Sequence, residues 1–265
     1  RNFPADMLRR LAAALLGEYR ITRSLAAVAR SATVHPTATL GPHTTVLANA
    51  SIGAHTTIGA NTVVGASVTI GAHCTIGHNV SLSHCTLHDH VEISHGASIG
   101  SPGFGFLLPH RHLHTPPALP TPKPQPLSVT LHSHVRVGAN STIDRGSHRI
   151  TTLHAGTKLD NLVQIGHNAV IGPSSLLCGH SAVAGSATLG SEVRLGGKSG
   201  IGDWAELGDG ADVVAGALVA SRARVARRMV VGGSPAREWR EVKVQEAVVR
   251  RWVRRWRRGR RGGDG

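Results

Sequence analysis

Aliphatic residues return along this chain on a fixed beat of six. Val28, Val34, Leu40, Val46, Ile52, Ile58, Val64, Ile70, Ile76 and Leu82 keep it without a slip, and after one five-residue step come Leu87, Ile93 and Ile99. A second run takes in Leu153, Leu159, Ile165, Ile171, Leu177, Val183, Leu189, Leu195, Ile201, Leu207, Val213, Val219, Val225 and Val231. Polar and small residues fill the positions between, and Gly often follows the aliphatic, as in Ile52-Gly53, Ile58-Gly59, Ile171-Gly172 and Leu189-Gly190. A period of six fits neither the 3.6 of a helix nor the 2 of a free strand. It suits a chain that turns a corner after each short strand, with the aliphatic pointing into a shared interior and Gly serving corners that need unusual backbone angles. Self-similarity of this length predicts an all-β stack of parallel coils, each resting on its neighbours at about 4.8 Å, the strand-pairing distance.

Two stretches leave the beat. Residues 102–126 carry Gly103-Phe104-Gly105-Phe106 and then a His- and Pro-rich run to Pro126. A long excursion from a rigid scaffold is a functional loop or a disordered insertion, so a Gly/Phe substrate loop followed by a flexible Pro-rich segment is expected. Four extra residues near Arg145–Thr151 break the period again. The ends differ from the middle: Pro4 to Gly17 has the pattern of a short helix, with Leu8, Leu11 and Leu15 on one side. After Pro235, Trp239, Val242, Val249, Val253 and Trp256 recur at helical spacing with arginines between. The expected organisation is an N-terminal helical segment over 1–27, a coil domain over 28–232, and a C-terminal helix with an Arg-rich tail over 233–265.

Composition sharpens this picture. Aromatics are 3% of the 265 residues, against 32 Gly and 40% hydrophobic residues, which suits a thin core of repeated small aliphatics. No apolar stretch is long enough for a transmembrane helix, and no secretory signal is visible. Cys74, Cys85 and Cys178 form no CxxC or other metal spacing; odd in number and scattered, they read as reduced thiols of an intracellular compartment. The net charge of +14 is concentrated: eight arginines fall between Arg250 and Arg261 with no acid among them. Such a run is either a solvated tail or a basic contact surface.

Eighteen histidines are present, and most read as exposed spacers at corners. His167 stands apart, because Asp160, Asn161, Gln164, His167 and Asn168 concentrate polar groups beside strictly periodic aliphatics. Polar groups on a rigid wall can line a cleft. An imidazole, which changes charge near neutral pH, can take a proton from an attacking amine. Gly185 lies one eighteen-residue coil beyond His167, where its backbone N–H could face a thioester oxygen.

The segments Ile99-Gly100 with Gly103-Phe104-Gly105-Phe106, Gly138-Ala139-Asn140 with Ile143-Asp144-Arg145-Gly146, and Asp160-Asn161 with Gln164-Ile165-Gly166-His167-Asn168 resemble the UDP-3-O-acylglucosamine N-acyltransferases of lipid A synthesis. Ala184-Gly185-Ser186, Gly196-Gly197 and the ending Gly232-Gly233, Pro235-Ala236, Glu238-Trp239-Arg240 continue the resemblance in order. It implies a left-handed, triangular parallel β-helix of hexapeptide repeats. It further implies His167 as general base toward the sugar 2-amino group and the Gly185 N–H as oxyanion donor. Asp160, Asn161, Gln164 and Asn168 would position the sugar or the imidazole, and Phe104 and Phe106 would contact substrate. The donor would be the acyl-phosphopantetheine of acyl carrier protein, with no bound cofactor and no metal. The partners implied are a homotrimer, acyl carrier protein and a UDP-amino-sugar lipid. The short N-terminal segment and the Gln164-Ile165-Gly166-His167 wording resemble the shortened forms of plant organelles. An intracellular location is therefore expected, mitochondrial or in another organelle for that type and cytoplasmic for a bacterial one. Trp204 stands where the family has a second histidine, and Pro102 replaces an acidic residue.

Two other readings remain open at this stage. A zinc β-helix resembling the γ-type carbonic anhydrases would draw on His55, His90 and His95. A non-catalytic scaffold would use its tail, where arginines flank Trp252 and Trp256, on an anionic membrane surface or on nucleic acid. Contact of the tail with an anionic membrane surface is the expected one, and no nucleic-acid partner is expected.

Overall fold

The structure, a computed structural model, describes residues 19–21, 25–107 and 119–260. The helix expected over Pro4–Gly17 and the end of the tail lie outside the described residues. Short parallel strands wind into a left-handed β-helix with three flat faces of ten strands each, two of them extended to eleven by an antiparallel strand at one end. Each strand contributes one inward aliphatic, and the aliphatics stack in columns: Val46 on Val64, Ile165 on Val183, Leu195 on Val213. Nearly all are under a few per cent exposed, so the core is a narrow rod of Val, Ile and Leu. Cys74 and Cys85 belong to this rod, and burial pushes the Cys85 thiol up to about 12, which leaves it unreactive.

Paired residues are eighteen positions apart in regular coils, as Ile76 on Ile58. The five-residue step shortens this to seventeen, Leu82 on Ile99, and the excursion lengthens it to forty-four, Leu87 on Leu131. The second insertion gives twenty-two, Ile143 on Ile165. In every case aliphatic still lands on aliphatic. Extra residues are thrown outward at a corner, because a slip of even one residue would turn a buried side chain to water.

The corner chemistry differs from the expectation. Apart from Gly100 (φ 87°), the described glycines directly after the inward aliphatic do not adopt left-handed backbone angles; the left-handed position of a regular corner is the residue two positions further on. Twenty-two described non-glycine residues have positive φ, among them Asn49, His55, Asn61, His73, Asn79 and His90 at 55–59°. Asn is among the residues that tolerate this region best. Gly follows the aliphatic for a different reason, the closeness of the next coil. A Cβ on Gly53 would lie 2.6 Å from the Gly71 carbonyl, and one on Gly172 2.3 Å from that of Gly190.

Corner histidines of successive coils stack face to face. His55, His73, His90 and His134 form one column with centroids 4.8–5.1 Å apart, and His88, His132 and His154 a second. Burial, and then the neighbouring His154 and His88 rings, lower the His132 pKa.

At the N-terminal end, Tyr19–Ile21 pairs antiparallel with Ala27–Ala29 and occupies that sheet edge. At the other end Arg237–Glu238 turns back on Val230–Gly232 and leads into a helix, α1, Trp239–Arg260. Val242 is buried at this junction, and Trp239 lies so close to Gly232 that a Cβ there would meet its ring at 2.6 Å.

The two glycine roles are separable. Gly172→Val should lower stability by about 1–3 kcal/mol through overpacking against the next coil. Gly216→Asn, at a left-handed corner (φ 71°) with open space around it, should shift the chemical-denaturation midpoint very little.

Candidate active site

One edge of the β-helix gathers most of the irregular features. The corner that follows inward residues Ile99, Ile143, Ile165, Val183 and Ile201 carries, coil by coil, Gly103, the insertion 145–150, His167-Asn168, Gly185-Ser186 and Trp204. Backbone bonds tie these corners together: Ser186 N–H donates to His167 O (2.9 Å) and Trp204 N–H to Gly185 O (3.1 Å).

His167 lies flat against Gly185. A Cβ on Gly185 would meet Cε1 of the imidazole at 2.7 Å and Nε2 at 3.0 Å, so only glycine leaves room for the ring. The Gly185 N–H donates to no described residue. Asn168, fully buried, holds the other side of the imidazole. Its Oδ1 accepts from the backbone N–H groups of Ser147 (2.7 Å), His148 (3.2 Å) and Arg149 (3.2 Å). That capture fixes the amide, whose Nδ2 then donates to His167 Nδ1 (2.7 Å) and to Ser147 Oγ (3.1 Å). Arg149 returns across the insertion and donates from Nε to Asn168 O (2.9 Å) and from Nη2 to Ser186 O (3.2 Å). An imidazole whose Nδ1 accepts must carry its neutral-state proton on Nε2.

Asp144 stands on the other side of His167. It accepts at Oδ2 from Gln164 Nε2 (3.0 Å), and Gln164 in turn accepts from Thr142 Oγ1. Burial raises the Asp144 pKa, while the Gln164 bond and the charge of His167 oppose the rise. Gly103 bridges the two groups: a Cβ there would be 2.9 Å from Asp144 Oδ2 and 3.1 Å from His167 Cδ2. Gln125, almost fully buried, holds Gly103 from both sides. Its Oε1 accepts from Gly103 N–H (2.6 Å) and its Nε2 donates to Gly103 O (2.9 Å).

This clasp alters the expected picture of the excursion. The Pro-rich side is not free near its base: Phe106–Leu107 pairs antiparallel with Thr121–Pro122, so 102–107 and 119–126 form a two-legged arm rooted beside His167. Residues 108–118 lie outside the described residues. Phe104, 91% exposed, meets Phe106 edge to face at 5.1 Å, an apolar pair on the arm whose Gly103 abuts the imidazole.

Asp160 and Asn161 are placed elsewhere. They sit at the opposite end of the strand Gln164–Ile165, on the preceding corner, and cap backbone amides: Asp160 Oδ2 accepts from Gly179 N–H (3.0 Å) and Asn161 Oδ1 from Ala139 N–H (2.7 Å). Within one chain, therefore, neither orients the imidazole; the geometry of a tight corner uses them on the backbone. Asn168 takes that role, and Gln164 reaches His167 only through Asp144. Sequence reasoning gave no role to Asp144, Gln125, Ser147 or Arg149. Asp144 could have been found as a lone carboxylate next to an inward aliphatic on the same face as Gln164. Trp204, half exposed, stacks parallel on His148 at 5.5 Å, covering the next step of this edge. The three histidines of the zinc reading are split: His55 and His90 share one corner column, whereas His95 stacks on His78 elsewhere. Among the described residues no group of three His, Cys, Asp or Glu is placed to hold a metal ion.

A family profile described as "Hexapeptide repeat of succinyl-transferase" matches residues 49–84. Over 101 residues the chain is 46% identical to "Probable UDP-3-O-acylglucosamine N-acyltransferase 2, mitochondrial" of Arabidopsis thaliana, covering 38% of this chain and 31% of that protein. A UDP-3-O-acylglucosamine N-acyltransferase of Azorhizobium caulinodans is 49% identical over 94 residues, 35% of this chain and 24% of that protein. The chain resembles the UDP-3-O-acylglucosamine N-acyltransferases. The matched segments span less than a third of these relatives. Among solved structures, a UDP-N-acetylglucosamine acyltransferase of Arabidopsis superposes with a TM-score of 0.61 at 17% identity, over 80% of this chain and 73% of that one. A UDP-N-acetylglucosamine O-acyltransferase of Moraxella catarrhalis gives 0.56 at 24% identity, over 77% and 73%. These two show the fold.

Two outcomes follow from the site of this acyltransferase-like chain. Nitrogen-15 shifts of His167 should report the Nε2–H tautomer when neutral; Asn168→Asp, which keeps an acceptor for the three backbone N–H groups, should reverse it to Nδ1–H. Asp144→Asn should stabilise the fold at neutral pH. A carboxyl whose folded pKa is raised above its ordinary 3.8 favours the fold below that value and loses the contribution as pH climbs through the raised one. The gap between variant and wild type should therefore close on acidification toward 3.8.

Proposed function

We propose that this chain moves an acyl group, a 3-hydroxyacyl group by the family resemblance, from the phosphopantetheine thioester of acyl carrier protein to the 2-amino group of a UDP-linked acylated glucosamine. The observation that carries the reading is the pairing of His167, pinned by Asn168, with a Gly185 N–H that has no partner among the described residues, across a gap that only glycine allows. In the transfer the amine nitrogen attacks the thioester carbonyl carbon. A C–N bond forms, His167 takes the amine proton, and the carbonyl oxygen becomes an oxyanion that accepts from the Gly185 N–H. The C–S bond then breaks, the imidazolium returns the proton to the departing sulfur, and an amide is left.

For Nε2 to accept that proton, the ring proton must sit on Nδ1 and the Asn168 amide must turn its oxygen inward. The base step is thus coupled to the hold of Asn168 on the 147–149 backbone. Asp144, close enough to sense the imidazole charge, would stabilise the imidazolium. Phe104 and Phe106 offer an apolar wall to the acyl or pantetheine chain. A neighbouring subunit of a homotrimer would supply the opposite wall. The reading carries an intracellular location, mitochondrial if the chain is of the plant type.

An assay with acyl carrier protein thioester and a 2-amino UDP-sugar tests this directly. His167→Ala should cut turnover about 10²–10⁴-fold, and Gly185→Ala should fall comparably by displacing the ring. Transfer that persists undiminished in His167→Ala removes His167 as base. Wild-type protein inert toward every amino sugar tried would favour the scaffold reading.

A further inference from the structure

Helix α1 has two unlike halves. Up to Val249 its charges are mixed: Arg240, Lys243, Glu241 and Glu246. From Arg250 onward it holds arginines and no acid. Val242 is buried where the helix meets the coil, and Trp239 and Val253 are partly covered, but four apolar residues between them are open to solvent. Val244, Val248, Val249 and Trp252 are each more than half exposed, Trp252 at 64%. Around a helical wheel Val244, Val248 and Trp252 follow one another at i, i+4 and i+8, with Val249 beside them, while Arg250 and Arg254 take the other side and Arg251 lies at the border next to Val244. The helix thus presents an apolar strip along one side and a dense row of guanidinium groups along the other. No described helix is long and apolar enough to cross a membrane.

We propose that α1 is an interfacial anchor that lies in the surface of an anionic bilayer, with Val244, Val248, Val249 and Trp252 entering the headgroup–acyl boundary and the arginines pairing with lipid phosphates. Charge complementarity and the apolar strip select this occupant together. Arginines alone suit nucleic acid equally, but a strip of exposed valines gains nothing from a phosphate backbone, whereas at a bilayer surface it leaves water. A second copy of the helix would cover the valines but would set two acid-free arginine runs side by side. The inference does not depend on the acyl-transfer reading.

The test uses the full chain with vesicles of phosphatidylcholine, with and without phosphatidylglycerol. Cosedimentation with the anionic vesicles only, weakened by added salt, and a blue shift of tryptophan emission are expected. Because arginine stays charged, binding should persist across the neutral pH range. Arg250→Gln, Arg251→Gln and Arg254→Gln should each weaken it about fivefold at low salt. Val248→Asn with Val249→Asn, both exposed and outside the Val242 contact, should weaken it about tenfold or more while circular dichroism stays unchanged. Three results would overturn the proposal: equal or absent binding to both vesicle types, binding indifferent to the valine changes, or shielding of the valine strip in a vesicle-free oligomer. Tighter binding to duplex DNA or RNA than to anionic vesicles would equally do so.

Discussion

Every coil of this protein must place its inward aliphatics directly on those of the coil below, and the rest of the structure depends on that vertical register. The core is one side chain wide at each face, so a misplaced aliphatic has no second layer to shelter it. Backbone pairing and side-chain stacking obey the same spacing and reinforce each other. The consequence is a sharp division of labour along the chain: strand positions tolerate little, and corners tolerate a great deal. Twenty-odd extra residues at one corner and four at another leave Leu87 over Leu131 and Ile143 over Ile165.

That division explains where chemistry can reside. A corner is the only place where the chain can add residues without breaking the rod, and stacking puts the same corner of successive coils a strand-spacing apart. The arm, the short insertion, His167 and Gly185 come from widely separated stretches of sequence yet share one edge. Rigidity is inherited from the rod and variety from the loops, the arrangement that suits a site needing fixed geometry. Asn168 shows how the two meet. It belongs to a corner, is wholly buried, and uses its amide to bind the insertion on one side and the imidazole on the other.

The repeat was legible in the sequence because period six has no rival among helices and strands, and its interruptions showed where the loops leave. The relation of His167 to Gly185 was legible for the same reason, since an eighteen-residue coil is simple arithmetic. What could not be read was anything that crosses an insertion. Gln125 clasps Gly103 from 22 positions away, and Arg149 reaches Asn168 and Ser186 from a loop whose path the repeat does not dictate. The corner glycines were misassigned because composition cannot separate a glycine needed for its backbone angles from one needed for its missing Cβ. That Asp160 and Asn161 cap backbone amides and do not touch the imidazole was hidden for a similar reason: a polar side chain that caps an amide at a tight corner has the same sequence appearance as one that faces a neighbouring ring.

The hold of Asn168 on His167 bears on how a single histidine can act here. An aspartate at position 168 would present an acceptor to Nδ1 at all times and leave Nε2 free to take a proton. An asparagine makes that state conditional, because its oxygen is occupied by three backbone N–H groups of the insertion. Turning the amide requires those groups to find other partners, and a substrate lying over the insertion could supply them with carbonyl or phosphate oxygens. Occupancy of the edge would then release the amide, shift the ring proton to Nδ1 and expose the lone pair where the amine arrives. In the proposed transfer the four extra residues after Arg145 would therefore do more than decorate a corner: their backbone N–H groups would decide which nitrogen of His167 accepts the amine proton.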